Sequence, residues 1–471
     1  MTFQRDLAWQ QIELTYRASV AHQFARYALA LNYDLLPEQV VHQAKRCVLD
    51  ALGCAIGAYD APGRLICENT VKAIGGPPEA TVFCSGLRTN ALNASLVNSF
   101  LVRFLDYNDW GGGGHNSDAL ASILAMAERE KSSGKDFLTS LVISYELGAR
   151  FQKSHTDRFT LEKLGWASDV RGGLNQPPAI GKLMGLNEEQ IANAIGICLS
   201  HALPLGILDA NREENVMAKN LRFGWVAHDA ILACMLAQNG FTGPVRIVES
   251  DHGIGKVLLH GEIDFERLTD FSGWRIMDVK FKAMPANATT HGHVFATLAL
   301  VEEHDLKPED IAAVNIRAPL RESLHTTTPA KKYPRTAENA DHSAFYANAL
   351  AIKERAFGPD SINPEKFTDP VVLDLIEKIT VTGDPSMGFI QGASEIITKD
   401  GRRFEKFIDV PRGLGDGSQS DKELEEKFAE MASVHLSDAH IGKIFDACWN
   451  IEKLGDLAEL TRLMVFPEKK S

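Results

Sequence analysis

The chain has 471 residues, with 62 acidic and 49 basic side chains that give a formal net charge of -13. This length allows two domains with a large buried core, and the 45% hydrophobic and 24% charged content is typical of a globular protein. An acidic chain without a basic arm argues against partners such as nucleic acid or an anionic membrane. The N-terminal segment carries charges of both signs and no long apolar run, which predicts a cytoplasmic protein without a signal peptide or membrane span.

Helical periodicity dominates the first half of the chain. Apolar residues recur every three or four positions in segments 37–56, 137–151, 179–184, 188–201 and 217–238. Several of these segments are apolar on more than one face, which is typical of helices packed inside a bundle. The first part of the chain is therefore predicted to be an all-α domain.

The pattern changes near residue 272. Strands are predicted at 275–284, 312–317, 379–382 and 394–410, the last interrupted by a turn signal at 399–401, with helices at 291–304 and 340–357. From residue 421 onward the pattern is helical again. The predicted fold class is mainly α, with a large all-helical domain (1–271 and 412–471) and a smaller α+β lid domain (272–411). The crevice between them is the expected ligand site.

A glycine-rich loop is the most informative local feature. Segment 105–119 places Asp106, Asp109 and His115 around four consecutive glycines, 111–114, between two predicted helices. Glycine costs roughly 0.5–1 kcal/mol relative to alanine inside a regular element, so these residues favour close backbone approach over helix stability. The loop predicts a pocket for a small polar ligand, and the alternative is a solvated linker between helices.

Two segments carry cations in apolar surroundings. Lys219 and Arg222 lie three apart at the start of an apolar helix, where they share one face and could bind a carboxylate. The alternative is a solvated first turn. Lys282 lies on the predicted strand at 275–284, before a loop that leads to His291, and could stabilise an enolate. The alternative is an edge-strand lysine that prevents aggregation.

A third segment, ENADHSAFYANALAI, places His342 and Tyr346 four residues apart on one helical face. Such a pair can relay protons, although a hydrogen-bonded core pair would have the same sequence. The seven cysteines are odd in number and widely scattered, without a Cys-x-x-Cys pair. They predict reduced core cysteines, and we expect neither a metal nor an organic cofactor.

Four motifs follow one another along the chain: the glycine-rich loop, the helix that begins at Met217-Ala218-Lys219, the segment of Lys282 with Pro285-Ala286 and His291 after it, and ADHSAFY at 340–346. Together and in this order they resemble the MmgE/PrpD family. That family contains 2-methylcitrate dehydratases, cis-aconitate decarboxylases and iminodisuccinate epimerases. The resemblance implies a helical domain with an α+β lid, a homodimer, and cofactor-independent chemistry on a small di- or tricarboxylate. The residues and the resemblance together assign catalytic roles to His115, Asp106, Lys282 and Tyr346, and substrate contacts to Lys219, Arg222, Asp109, His291 and His342.

The chain departs from the family pattern at three places. Trp110 and the glycines replace the threonine region of the family loop, and Asn116 replaces a proline. A second family histidine is missing from 165–169, which reads GWASD. These departures argue against cis-aconitate decarboxylation.

The expected function is a lyase of the hydro-lyase class that eliminates water from a citrate-like hydroxy tricarboxylate, as a 2-methylcitrate dehydratase does, by removing a proton next to a carboxylate. One alternative is an epimerase, isomerase or decarboxylase of a small di- or tricarboxylate. The other alternative is a non-catalytic carboxylate-binding homologue.

Overall fold

The computed structural model describes residues 2–111, 114–157, 159–209, 213–415 and 419–466. Two of the four loop glycines, Gly112 and Gly113, lie outside the described residues. No helix in the described part of the chain is both long and apolar enough to cross a membrane.

The helical part consists of the segments before residue 270 and the C-terminal tail. Its helices are α1 (Thr2–Arg17), α2 (Val20–Ala30), α3 (Glu38–Gly57), α4 (Pro62–Ile74), α5 (Ala91–Arg103), α6 (Leu120–Arg129), α7 (Gly134–Lys153), α8 (Thr160–Lys163), α9 (Gly172–Leu183), α10 (Glu188–Leu199), α11 (Ala218–Gln238), α12 (Ile254–Val257) and α13 (Phe265–Leu268), with α20 (Asp421–Ala432), α21 (Asp438–Trp449) and α22 (Ala458–Leu463) from the tail. A short hairpin of β1 (Ala80–Thr81) and β2 (Arg88–Thr89) is attached to them.

The helical part has one continuous core. Helix α5 packs against α11, α6 and α3, and α7 packs against α9. Helices α5 and α7 are buried along almost their whole length, as their apolar composition on several faces predicts. The tail returns to this core, because α20 packs on α3 and contributes Leu424 and Phe428 to the same hydrophobic cluster.

The α+β part has its own hydrophobic cluster around a four-stranded sheet. Its elements are α14 (His291–Glu303), β3 (Ile311–Pro319), α15 (Leu320–Thr326), α16 (Pro329–Lys332), α17 (Ala337–Ala340), α18 (Ala344–Glu354), α19 (Pro370–Lys378), β4 (Ile379–Asp384), β5 (Gly392–Thr398) and β6 (Arg403–Ile408). The strand order is β4-β3-β5-β6, with β3 and β4 parallel and the other pairs antiparallel.

Three of the four predicted strand regions are confirmed, and so is the fold class of a mainly α protein with a smaller α+β part. The turn predicted at 399–401 joins β5 to β6, and Gly401 adopts the left-handed φ of +87° there. The domain boundaries at residues 271 and 411 stay a prediction.

The strand predicted at 275–284 is wrong. Arg275–Asp278 forms a 3-10 turn, and Lys280 makes only an isolated bridge with Trp110. The backbone groups of this segment bond to neighbours that are not strands. The Ile276 N–H donates to a Glu146 carboxylate oxygen at 2.9 Å, and the Lys280 N–H donates to the Trp110 carbonyl at 2.7 Å. A strand needs a ladder of partners, and here the 3-10 turn packs on helices α7 and α3 instead.

Candidate functional site

A cavity of about 680 Å³ opens where the helical part meets the α+β part. Cationic side chains outnumber acids in its wall, although the whole chain is acidic. The cations are Arg103, Lys163, Arg222, Lys282 and Arg321, the acids are Asp106 and Glu162, and the histidines are His115, His325 and His342. A concave site with this excess of positive charge favours a small polyanion.

Asp106 lies at the centre of the inner cationic groups. Its Oδ1 lies 3.0 Å from the Lys282 ammonium and also contacts the Arg103 guanidinium. Burial alone would raise the pKa of Asp106, but Lys282 and Arg103 hold it well below the usual range. Asp106 is therefore ionised and pairs with two cations of the wall. Its φ of +47° turns the chain sharply where α5 ends.

His115 occupies the cavity wall with its tautomer fixed. Nδ1 lies 2.6 Å from the carbonyl oxygen of Asp109. A carbonyl can only accept, so Nδ1 carries the proton and the lone pair of the neutral ring is on Nε2. Burial, with Arg103 and Lys282 nearby, lowers the pKa of His115 well below its ordinary value, and the opposing charge of Asp106 does not reverse this. The neutral imidazole can act as a base.

The loop that carries His115 depends on two described glycines. Gly111 and Gly114 both have φ of +111°, which disfavours other residues. A Cβ at Gly114 would lie 3.2 Å from the Arg171 guanidinium, whose Nη2 donates to the His115 carbonyl at 2.7 Å. A Cβ at Gly111 would lie 3.0 Å from the Asp278 carbonyl oxygen. The predicted close backbone approach is confirmed at these two positions.

Lys282 is buried, in a segment without helix or strand. Its ammonium donates to the Asp106 carbonyl at 2.7 Å in addition to its contact with the Asp106 carboxylate. Burial lowers the pKa of Lys282 to about 8. Lys427 of α20 donates to the Lys282 carbonyl at 2.9 Å and to a carboxylate oxygen of Asp50 at 2.6 Å. The tail helix thus fixes the backbone from which Lys282 reaches the cavity.

Lys219 pairs with a protein carboxylate. Its ammonium lies 2.8 Å from Asp341 Oδ2 and 3.4 Å from His342 Nδ1, and the side chains of Lys219 and Asp341 are fully buried. His342 in turn contacts the other oxygen of Asp341 and lines the cavity. Lys219 is not among the described residues of the cavity wall. It acts on the site through Asp341 and His342, across the junction of the two parts.

Three of these side chains have the spacing of a metal site. Asp106, Asp341 and His342 place ligand atoms within 4.8 Å of one another. Lys282 contacts Asp106 and Lys219 contacts Asp341, so an incoming divalent cation would meet two ammonium groups. This charge pattern suits an anion better than a metal. The expectation of a protein without a metal stays a prediction.

Arg222 lines the cavity beside an acid from the segment that lacks the family histidine. Its Nε lies 2.6 Å from Asp169 Oδ2, and both side chains are buried. Segment 165–169 contributes four residues to the cavity wall, Gly165, Trp166, Ala167 and Ser168. Lys219 and Arg222 are both buried, so they do not form a solvated first turn, and each has a different protein carboxylate as its partner.

Besides Lys219, three predicted site residues lie outside the described cavity wall. The carboxylate of Asp109 accepts from the Ser117 hydroxyl at 2.6 Å and the Tyr145 hydroxyl at 2.8 Å, and burial raises its pKa to about 7. Asp109 therefore stabilises the loop interior. The ring of His291 is buried against the Ala286 carbonyl, at 3.3 Å, and burial lowers its pKa to about 3.

Tyr346 requires the same correction. Its hydroxyl donates to the Ser361 carbonyl at 2.6 Å, and its ring packs edge-on against Phe357 and Phe367 in the core of the α+β part. A phenol that is already bonded inside a core is not placed to contact a substrate. Tyr346 is a hydrogen-bonded core residue, but its partner is the Ser361 carbonyl and not His342 as the alternative of a core pair predicts.

The sequence did not single out Arg103, Asn287, His325 or Asp341. Arg103 precedes Asp106 by three positions at the end of α5, which is a usable signal for an ion pair. Asp341 is the neighbour of His342 in the ADHS segment. Asn287 and His325 line the cavity, and the His325 ring lies 5.1 Å from that of His342 in an edge-to-face contact. No local pattern distinguishes these two.

The fold and the site together define a protein with a cation-rich cavity between a helical part and a smaller α+β part, with the imidazole of His115 in its wall. The chain belongs to the MmgE/PrpD family. The family's N-terminal domain matches residues 22–266, and its C-terminal domain matches residues 284–451.

Curated relatives match along most of the chain. It is 25% identical to a cis-aconitate decarboxylase of Mus musculus, over 95% of this chain and 94% of that protein. It is 25% identical to an alkylcitrate dehydratase of a fungal species, over 88% of each. It is 24% identical to the 2-methylcitrate dehydratase of Escherichia coli, over 80% of this chain and 82% of that protein. These relatives are lyases.

Proposed function

We propose that the protein is a cofactor-independent lyase that eliminates water from a citrate-like hydroxy tricarboxylate. Substrates of the 2-methylcitrate type are our first choice. The observation that carries this proposal is the position of the His115 ring, whose Nδ1 lies 2.6 Å from the Asp109 carbonyl oxygen, in a cavity wall rich in cations. A base beside cationic groups suits removal of a proton from a carbon next to a carboxylate, because the cations stabilise the resulting enolate.

The arrangement supports a role for each group. Arg103 and Arg222 bind substrate carboxylates, and His115 Nε2 takes the proton from the carbon next to one of them. The C–O bond to the hydroxyl then breaks while the C=C bond forms. The hydroxyl leaves as water after receiving a proton from Lys282, whose pKa of about 8 keeps it protonated at neutral pH. Asp106 holds Lys282 and Arg103 in place.

A decarboxylase of the cis-aconitate type is the second candidate, and the similarity to the mouse decarboxylase supports it. That reaction needs a proton donor at the carbon that loses carbon dioxide. A neutral His115 is a poor donor, so the site favours elimination. An epimerase would use the same base and return the proton, and a non-catalytic homologue would only bind the polyanion.

One experiment separates these functions. The protein is incubated in deuterated water with citrate, methylcitrate, cis-aconitate or iminodisuccinate, and the products are followed by NMR. Formation of a new alkene from a hydroxy acid supports the proposed lyase. Loss of carbon dioxide from cis-aconitate supports the decarboxylase. Deuterium incorporation without an alkene supports an epimerase. Binding without any reaction would contradict the catalytic proposal.

We also propose a homodimer, as the family resemblance implies. Exposed apolar side chains on the helical part, including Trp9 of α1 and Trp225 of α11 at 64% and 55% exposure, are compatible with further packing.

A further inference from the structure

The wall of the cavity changes character from its interior to its rim. The inner groups Arg103, Lys282 and His342 are almost fully buried and polar. The rim combines charged side chains with exposed apolar ones. It contains Ile207 and Leu324, which line the cavity yet are 63% and 62% exposed.

Aromatic rings continue this apolar surface across the junction of the two parts. Trp110 of the glycine loop stacks on Phe389 with ring centroids 5.5 Å apart and planes 11° apart. Phe159 lies 5.5 Å from the same Phe389 ring. We name Trp110, Phe159, Ile207, Leu324 and Phe389 the apolar rim.

The charged groups near the apolar rim are matched within the protein. Arg321 lies 3.5 Å over the Phe159 ring and 3.8 Å from a Glu162 carboxylate oxygen, and Lys163 pairs with Asp157. The net positive charge that would attract substrate carboxylates is therefore concentrated in the interior, and the apolar rim adds exposed hydrocarbon surface beside charges that are already paired.

We propose that the apolar rim selects a substrate that carries a hydrocarbon substituent of several carbons on a polycarboxylate head. The head binds the inner cations, and the substituent covers the exposed side chains of Ile207 and Leu324, which removes apolar surface from water. The cavity of about 680 Å³ lies in the range of sites for ligands much larger than citrate. The inference rests on the proposed function only for the polycarboxylate nature of the head.

Binding of 2-alkylsuccinates tests this inference separately from turnover. These compounds carry two carboxylates and no hydroxyl, so they cannot lose water. Isothermal titration calorimetry with succinate and with methyl to hexyl derivatives gives the gain in affinity for each added methylene. We expect about a fourfold gain per methylene, as full burial of a CH₂ predicts.

The double variant Ile207→Asn with Leu324→Asn removes apolar surface at two exposed positions, where folding should tolerate the change. In this variant we expect the gain to fall below about twofold per methylene. Ile74→Asn is the matched control, because Ile74 is 68% exposed and lies at the end of α4 outside the cavity wall. It should keep the wild-type gain, and circular dichroism should show folded protein in all cases.

The outcomes distinguish the inference from the proposed function. Succinate binding with no gain along the alkyl series would overturn the inference and leave the lyase proposal intact. An unchanged gain in the double variant would also overturn it, because the hydrocarbon would then bind elsewhere. If the gain is found but no hydroxy acid, with or without an alkyl chain, yields an alkene, the inference stands and the lyase proposal is wrong.

Discussion

Replacing His115 with glutamine removes the proposed base and leaves the loop that carries it. The Arg171 guanidinium bonds to the backbone carbonyl of residue 115, so that contact does not depend on the side chain. A glutamine amide can donate to the Asp109 carbonyl in place of Nδ1. The variant should therefore fold normally and present an uncharged side chain of similar size that cannot accept a proton.

The expected loss is in kcat. General base catalysis contributes about 10²–10⁴-fold, which corresponds to roughly 2.7–5.4 kcal/mol of barrier at about 1.36 kcal/mol per decade. KM should change by less than about fivefold, because the cations Arg103, Arg222 and Lys282 still bind the carboxylates and the imidazole adds no charge at neutral pH.

The assay is steady-state formation of the alkene from the best hydroxy acid of the substrate panel, followed by its ultraviolet absorbance. His201→Gln is the matched control, since His201 has a side chain that is 52% exposed and is not among the described residues of the cavity wall. It should retain wild-type kcat. Activity of His115→Gln within about threefold of wild type would refute the base assignment. A rise in KM that accounts for the whole loss would instead mean that His115 positions the substrate.

Four further predictions concern the pH profile, the buried Lys219–Asp341 pair, the oligomeric state and the metal content. The pH profile of kcat/KM should fall above about pH 8, where Lys282 loses the proton it donates, and should hold below pH 6.5 because the pKa of His115 is depressed; an acid limb at pH 6.5 would contradict this. Lys219→Met should reduce the free energy of unfolding in urea by about 3–5 kcal/mol, because Asp341 is left buried without its ammonium, and adding Asp341→Asn should recover part of the loss. A double variant no more stable than the single one would count against that pairing. Sedimentation at micromolar concentration should show a dimer. A monomer would contradict the homodimer that the family resemblance implies. Dialysis against a chelator should leave activity unchanged, whereas stoichiometric metal with activity lost on its removal would overturn the expectation of a metal-free enzyme.

Several features could be predicted from the sequence because they depend on local pattern. Apolar spacing identified the long helices α3, α7 and α11, and period-two patterns with a Lys-Asp-Gly turn identified β5 and β6. The order of polar motifs located Asp106, His115, Lys282 and His342, and the structure brings these four into one cavity wall. These side chains lie at helix ends or loops, where a polar residue in an apolar context stands out.

Other features were decided only by tertiary contacts. Periodicity predicts that a face is buried, but it does not say against which surface. The sequence therefore predicts Tyr346 in the site, whereas its hydroxyl donates to the Ser361 carbonyl in a core. Lys219 has its anion 122 positions away, in Asp341, and no spacing rule connects residues so far apart. His325 reaches the cavity through the placement of α15 on the sheet. The physical reason is common to all three, since the role of a buried polar group depends on the partner that folding brings to it.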